Sequence, residues 1–110
     1  MTRELFHISN RRRWARVQAQ APVQVEQGPL GYTLDVSLRG ARIVARRPLS
    51  GAAFPLRIEI EPEGLTLEAE CMWTQPLGTP GLTVAGLRFQ PTEQQQHSLE
   101  RWMEGRKRAS

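Results

Sequence analysis

The sequence is poor in the residues that build disulfide frameworks, metal clusters and catalytic centres. Cys71 is its single cysteine, Asp35 its single aspartate, and its two histidines, His7 and His97, lie far apart. One cysteine excludes both a disulfide framework and a cysteine-rich zinc site. Since these residues do not combine into a catalytic triad or a metal-ligand pattern either, we expect no metal site and no enzyme activity.

Long apolar runs are also missing. No run approaches the roughly 18–20 residues that span a membrane, and the first residues lack the apolar segment of a secretory signal. We therefore expect a cytoplasmic protein without membrane insertion. The 110 residues, of which 39% are hydrophobic and 24% charged, are typical of one compact domain.

The charge is concentrated at the two ends of the chain. Residues 1–16 carry five arginines and one glutamate, residues 17–100 carry six arginines against nine acids, and residues 101–110 carry four bases and one glutamate. We therefore divide the chain into an N-terminal basic switch arm, residues 1–16, and a body, residues 17–110. This distribution indicates a local anion site rather than a general affinity for polyanions, so no DNA binding is expected.

Alternation of apolar and polar residues dominates the body and predicts strands. The six predicted strands cover residues 17–25, 30–36, 41–45, 56–60, 65–73 and 82–89. An even number of short strands favours a closed antiparallel barrel, because closure removes exposed strand edges. The alternation also places Tyr32, Cys71 and Trp73 on the side of their strands that faces the core.

After Pro91 the apolar residues no longer alternate with polar ones but recur at the spacing of a helix. Thr92 and Gln95 fit a capping box, and the apolar residues Leu99, Trp102 and Met103 fall on one helix face. We expect this helix to cover one barrel opening. The predicted fold class is all-β: a six-stranded antiparallel β-barrel with a C-terminal α-helix and a flexible N-terminal arm.

Two clusters carry candidate binding chemistry. Residues 11–16 contain four arginines with Trp14 among them, and guanidiniums this close repel one another unless an anion or water separates them. Residues 35–40 contain Asp35 and Ser37, which lie two apart and therefore share the outer face of a strand. A simpler interpretation stays open, in which a basic tail lies in water and the second cluster is an ordinary turn with Gly40 at positive φ.

The two clusters together suit a guanine nucleotide. Guanidiniums grip phosphates and the O6 and N7 acceptors of guanine, while a carboxylate accepts from the imino and amino hydrogens on the opposite edge of the base. A serine hydroxyl can donate or accept there.

The pair Arg12-x-x-x-Arg16 followed by Asp35-x-Ser37-x-x-Gly40 resembles the two motifs of the PilZ domain, the bacterial receptor module for cyclic di-GMP. The resemblance implies a barrel that binds this dinucleotide on its outer surface. It implies that Arg12 and Arg16 wrap over the ligand and that Asp35 and Ser37 bind a guanine. It also implies that Gly40 lets the turn pass close to the ligand, with no further cofactor.

The resemblance extends beyond these motifs. Residues 86–89, Gly-Leu-Arg-Phe, are similar to the Gly-x-x-Phe of the last barrel strand in the family. Arg11, directly before the first motif, is implied to add a ligand contact and to favour a stacked pair of ligands. By the same resemblance the ligand orders the arm, and the changed surface then regulates an unidentified downstream protein.

Two other functions remain open. One is a PilZ-like module that binds no nucleotide and acts only through protein contacts, although both motifs are intact here. The other is a small basic barrel that binds single-stranded nucleic acid. That function needs aromatic side chains on an exposed face, whereas Tyr32 and Trp73 are expected in the core and residues 17–100 carry more acids than bases.

Overall fold

The computed structural model describes residues 16–49 and 51–109, in which the chain forms seven strands and one helix. The strands are β1 (Val17–Gln18), β2 (Pro22–Val25), β3 (Gly28–Ser37), β4 (Gly40–Ala45), β5 (Phe54–Ile58), β6 (Leu65–Pro76) and β7 (Thr83–Gln90), and the helix is α1 (Glu93–Ala109). All strand pairings are antiparallel.

The sheet closes on itself. Pairing runs from β3 through β2, β5, β6, β7 and β4 and returns to β3, which confirms the predicted six-stranded barrel. The first predicted strand is split, because β1 and β2 pair with different parts of β3. Thr33 bridges the split: its hydroxyl donates to the Ala19 carbonyl at 2.6 Å and accepts from the Ala21 amide at 2.8 Å.

Three irregularities in register change which side chains face the core. The register shifts between Val23 and Gln24 of β2 against β3, between Thr33 and Asp35 of β3 against β4, and between Cys71 and Trp73 of β6 against β7. One extra residue in a strand reverses the alternation beyond it. The prediction that Tyr32 and Trp73 face the core is therefore wrong, since these residues are 37% and 44% exposed.

The barrel interior is filled by aliphatic side chains from every long strand. Leu30, Ile43, Leu56 and Ile58 are among those fully buried. Cys71 is half-buried and packs against this core, and burial raises the pKa of its thiol above the ordinary value. The core position predicted for Cys71 is therefore confirmed only in part.

The helix α1 begins at the predicted capping box. The Gln95 amide donates to Thr92 Oγ1 at 3.1 Å, and the Thr92 amide donates to Gln95 Oε1 at 2.9 Å. Leu99, Trp102 and Met103 are buried in the core cluster, so the helix packs against the end of the barrel near β1 and the start of β6. Within the described ranges, no helix has the length and apolar character needed to cross a membrane.

Candidate functional site

The Asp35 carboxylate, near the end of β3, is held by two guanidiniums. Arg16 Nη1 lies 2.9 Å from Oδ1, and Arg42 Nε and Nη2 lie 2.7 and 2.6 Å from Oδ2. The Arg42 amide donates to Oδ1 at 3.3 Å. The Asp35 side chain is 3% exposed, whereas those of Arg16 and Arg42 are 51% and 47% exposed. The carboxylate is therefore covered by cations that themselves reach water.

Asp35 belongs to a row of residues across the outer surface of the barrel. It lies opposite Arg42 of β4, Arg42 lies opposite Gly86 of β7, and Gly86 lies opposite Trp73 of β6. Neighbouring strands lie about 4.8 Å apart, so these four residues, which we call the Asp35 row, span about 14 Å.

The far end of the Asp35 row is a flat aromatic surface. The atoms that a Cβ at Gly86 would meet are Nε1, Cε2 and Cζ2 of Trp73, so the indole lies directly against the Gly86 backbone. A larger residue at position 86 would displace this ring. Because Gly86 has no side chain, the exposed Trp73 indole lies against its backbone, on the same outer face of the barrel as the Arg42 guanidinium.

Ser37 and Gly40 join β3 to β4 in the next row. Ser37 Oγ accepts from the Arg39 amide at 3.2 Å and donates to the Gly40 carbonyl at 3.3 Å, which stabilises the turn. Gly40 does not have a positive φ, so the expectation of a positive φ at this turn is wrong. A Cβ at Gly40 would instead overlap the carbonyl oxygen of Leu87, so this glycine lets β4 and β7 approach each other.

Comparison with known proteins assigns the family. The family model described as the PilZ domain matches residues 10–105. The chain belongs to the PilZ domain family. PilZ domains are binding and adaptor modules rather than a known family of enzymes.

One solved structure supports the fold of this PilZ domain independently. The Bacillus subtilis inhibitor of motility, MotI/DgrA, superposes with a TM-score of 0.72 at 19% sequence identity. The match covers 91% of this chain and 52% of that protein, so the chain spans about half its length. A search of curated proteins found no match.

The structure brings four of the predicted ligand-binding residues of the PilZ domain together. Arg16 contacts Asp35 directly, and Ser37 and Gly40 continue from Asp35 into the adjoining turn. The outward direction predicted for Asp35 and Ser37 agrees with the register, although both residues are buried because neighbouring groups cover them. Arg11 and Arg12 lie outside the described residues, as do Arg13 and Trp14.

Two residues of this face were not predicted as site residues. Arg42 could have been found from the sequence, because the turn that pairs Ser37 with Gly40 also places Arg42 opposite Asp35. Trp73 could not, because its direction depends on the irregular register of β6. Arg88 lies opposite Gly40 in the next row, where its guanidinium pairs with Glu70 at 2.8 Å.

Proposed function

We propose that this PilZ domain is a receptor for cyclic di-GMP that acts as an adaptor and catalyses no reaction. The observation that supports the proposal is the buried Asp35 carboxylate between the guanidiniums of Arg16 and Arg42. A carboxylate matches the N–H groups of guanine, and guanidiniums match phosphates. The outer face of the barrel therefore offers both kinds of group that a phosphate-bearing guanine nucleotide requires.

In the proposed mechanism, the ligand displaces Arg16 from Asp35. A carboxylate has about four acceptor positions, and here four nitrogens already occupy them: Arg16 Nη1, Arg42 Nε and Nη2, and the Arg42 amide. A guanine can bind Asp35 only if one donor leaves. Arg16 is the donor that can leave, because it lies before β1 whereas Arg42 is fixed within β4. A ligand phosphate would then take over the Arg16 guanidinium.

This exchange alone supplies little affinity. The Arg16–Asp35 contact, whose guanidinium is 51% exposed, contributes about 1 kcal/mol. The contact of Arg16 with a phosphate that replaces it contributes about 1.5–3 kcal/mol. The rest of the affinity must come from other groups, for which we propose Arg11 and Arg12 of the arm and the exposed Trp73 indole. Stacking of a base on an aromatic ring contributes about 1–3 kcal/mol.

We propose that ligand binding changes the surface through the arm. Residues 1–16 carry a net charge of four positive units, and the two phosphates of the ligand would neutralise part of it and order the arm against the barrel. The altered surface would regulate a downstream partner protein in the cytoplasm. The position of Arg11 supports a stacked pair of ligands at this site.

Titration calorimetry with cyclic di-GMP tests the proposal. We expect saturable binding by the unmodified chain and a loss of at least about tenfold for Arg12→Ala and Arg16→Ala. The matched control is Arg57→Ala: Arg57 lies on β5, its side chain is 44% exposed, and it pairs with Glu59 just after that strand. This control should bind like the unmodified chain. Unchanged affinity in both arm variants would contradict the proposal.

The same titrations separate the alternative functions. GTP, cyclic di-AMP and a single-stranded oligonucleotide should bind weakly or not at all, at either of two salt concentrations. Because Tyr32 and Trp73 are exposed, the charge of the barrel is the remaining argument against a nucleic-acid function. Oligonucleotide binding that falls steeply with salt, without cyclic di-GMP binding, would establish that function instead.

A further inference from the structure

The strand β6 is longer than its neighbour β5 and leaves part of its edge unpaired. β5 pairs with residues 65–69 of β6, whereas β7 pairs with β6 as far as Pro76. In the part of the chain that the structure describes, residues 70–76 form backbone-to-backbone hydrogen bonds with β7 alone, and the Trp73 carbonyl also accepts from Cys71 Sγ at 3.5 Å. Alternate amides and carbonyls of this segment point away from β7, so it presents an open strand edge.

A groove runs along the same stretch of β6, at the barrel end away from α1. Its volume is about 590 Å³. Ala45 and Ala85 form its floor and are almost completely buried, while Leu49, Thr74 and Pro76 contribute to its walls. Leu77, which follows the lining residue Pro76 in the chain, is 43% exposed. The groove is therefore largely apolar and lies beside a strand edge that can pair.

The charged side chains that line the groove are all positive. Arg46 and Arg47 line it, and no acidic residue does. Among the described residues, neither arginine lies within ion-pair distance of a carboxylate, and the Arg47 guanidinium donates only to the Pro29 carbonyl, at 3.3 Å. A partner with negative charges would complement these two cations.

We propose that this groove binds an extended segment of a partner protein, which adds as a strand to the open edge of β6. The backbone of the segment would pair with residues 70–76, and its apolar side chains would contact Leu49 and Pro76. Its acidic side chains would face Arg46 and Arg47. Addition of a strand uses the open edge, the apolar lining and the two arginines together. Backbone pairing supplies affinity, and alternate side chains supply specificity.

A second copy of this chain fits the groove less well. It would add a second Arg46 and Arg47 to the interface without an acidic side chain from the groove, and an excess of like charges disfavours association. The proposal goes beyond cyclic di-GMP binding and does not depend on it. None of the residues that line the groove belongs to the Asp35 row or to either motif.

Selection from a random library of displayed peptides, each about 12 residues long, tests the inference on the full chain. We expect enriched peptides that alternate apolar and acidic residues. The double variant Arg46→Ser/Arg47→Ser should bind the best of them at least about tenfold more weakly. The control Arg57→Ser, which removes another exposed arginine from the outer face of β5, should bind it normally.

Backbone methylation of the selected peptide tests strand pairing separately. Because only alternate amides of an added strand face β6, N-methylation of one set should abolish binding and methylation of the other set should not. The inference is overturned if no peptide is enriched, if the enriched peptides lack acids, or if neither methylated set loses affinity. Equal binding by the double variant, or a dimer that occupies the groove, would also overturn it.

Discussion

Replacing Asp35 with alanine removes the group that holds the two guanidiniums of the candidate site. Arg16 and Arg42 contact this carboxylate at 2.6–2.9 Å. Removing one partner of a fully buried ion pair costs about 3–5 kcal/mol. Here both guanidiniums are about half exposed and regain water once the carboxylate is gone. We therefore expect Asp35→Ala to lower the free energy of unfolding by a smaller amount, about 1.5–3 kcal/mol.

Urea unfolding followed by circular dichroism measures this change, with Glu59→Ala as the matched control. The Glu59 carboxylate accepts from Arg57 at 2.8 Å and from Gln24 at 2.9 Å, but its side chain is 29% exposed. Exposed ion pairs contribute up to about 1 kcal/mol, so this variant should lose less stability. The reasoning is refuted if, at equal denaturant slopes, Asp35→Ala costs no more than Glu59→Ala.

Three further predictions concern the fold, at Gly40, Thr92 and Cys71. Gly40→Ala should cost up to about 3 kcal/mol in urea unfolding, because its Cβ would overlap the Leu87 carbonyl. Gly51→Ala, which meets no atom within 4 Å, should stay within about 0.5 kcal/mol. Thr92→Ala should cost about 1 kcal/mol in the same assay, since α1 loses its capping hydroxyl. Iodoacetamide should alkylate Cys71 with a midpoint at higher pH in the folded chain than in urea, because burial raises the pKa of this thiol.

Each of these expectations has a result that contradicts it. Equal stability of Gly40→Ala and Gly51→Ala would show that β4 and β7 are not held at the proposed separation. Unchanged stability of Thr92→Ala would show that the capping box contributes nothing measurable. A Cys71 alkylation midpoint equal to or below that of the unfolded chain would show that the thiol is not desolvated.

The sequence was sufficient to predict the architecture because side-chain period is a property of each strand by itself. Alternation predicted the six barrel strands, and Thr92 with Gln95 predicted where α1 begins. Local register was not predictable, since neither the composition nor the alternation of β3 and β6 indicates where the strand carries one extra, unpaired residue. Trp73 therefore faces the opposite side from the one predicted.

The candidate site was likewise predictable only in part. The motifs identified Arg16 and Asp35, and the structure places the two in contact. Arg42 could be derived only by carrying the register through the Ser37–Gly40 turn. Alternation predicts that Thr33 faces away from the core, yet Thr33 is fully buried. Its hydroxyl bridges the break between β1 and β2, a contact that no sequence pattern predicts.

An NMR titration of the full chain with cyclic di-GMP, followed on amide and indole N–H signals, tests the central claim most directly. The account predicts saturable shifts at Asp35, at the turn to Gly40, at Arg42 and at the Trp73 indole. Residues 46–49 of the groove should keep their positions in the spectrum. Saturable shifts confined to other surfaces, or none at millimolar ligand, would contradict the assignment of the Asp35 face as a cyclic di-GMP site.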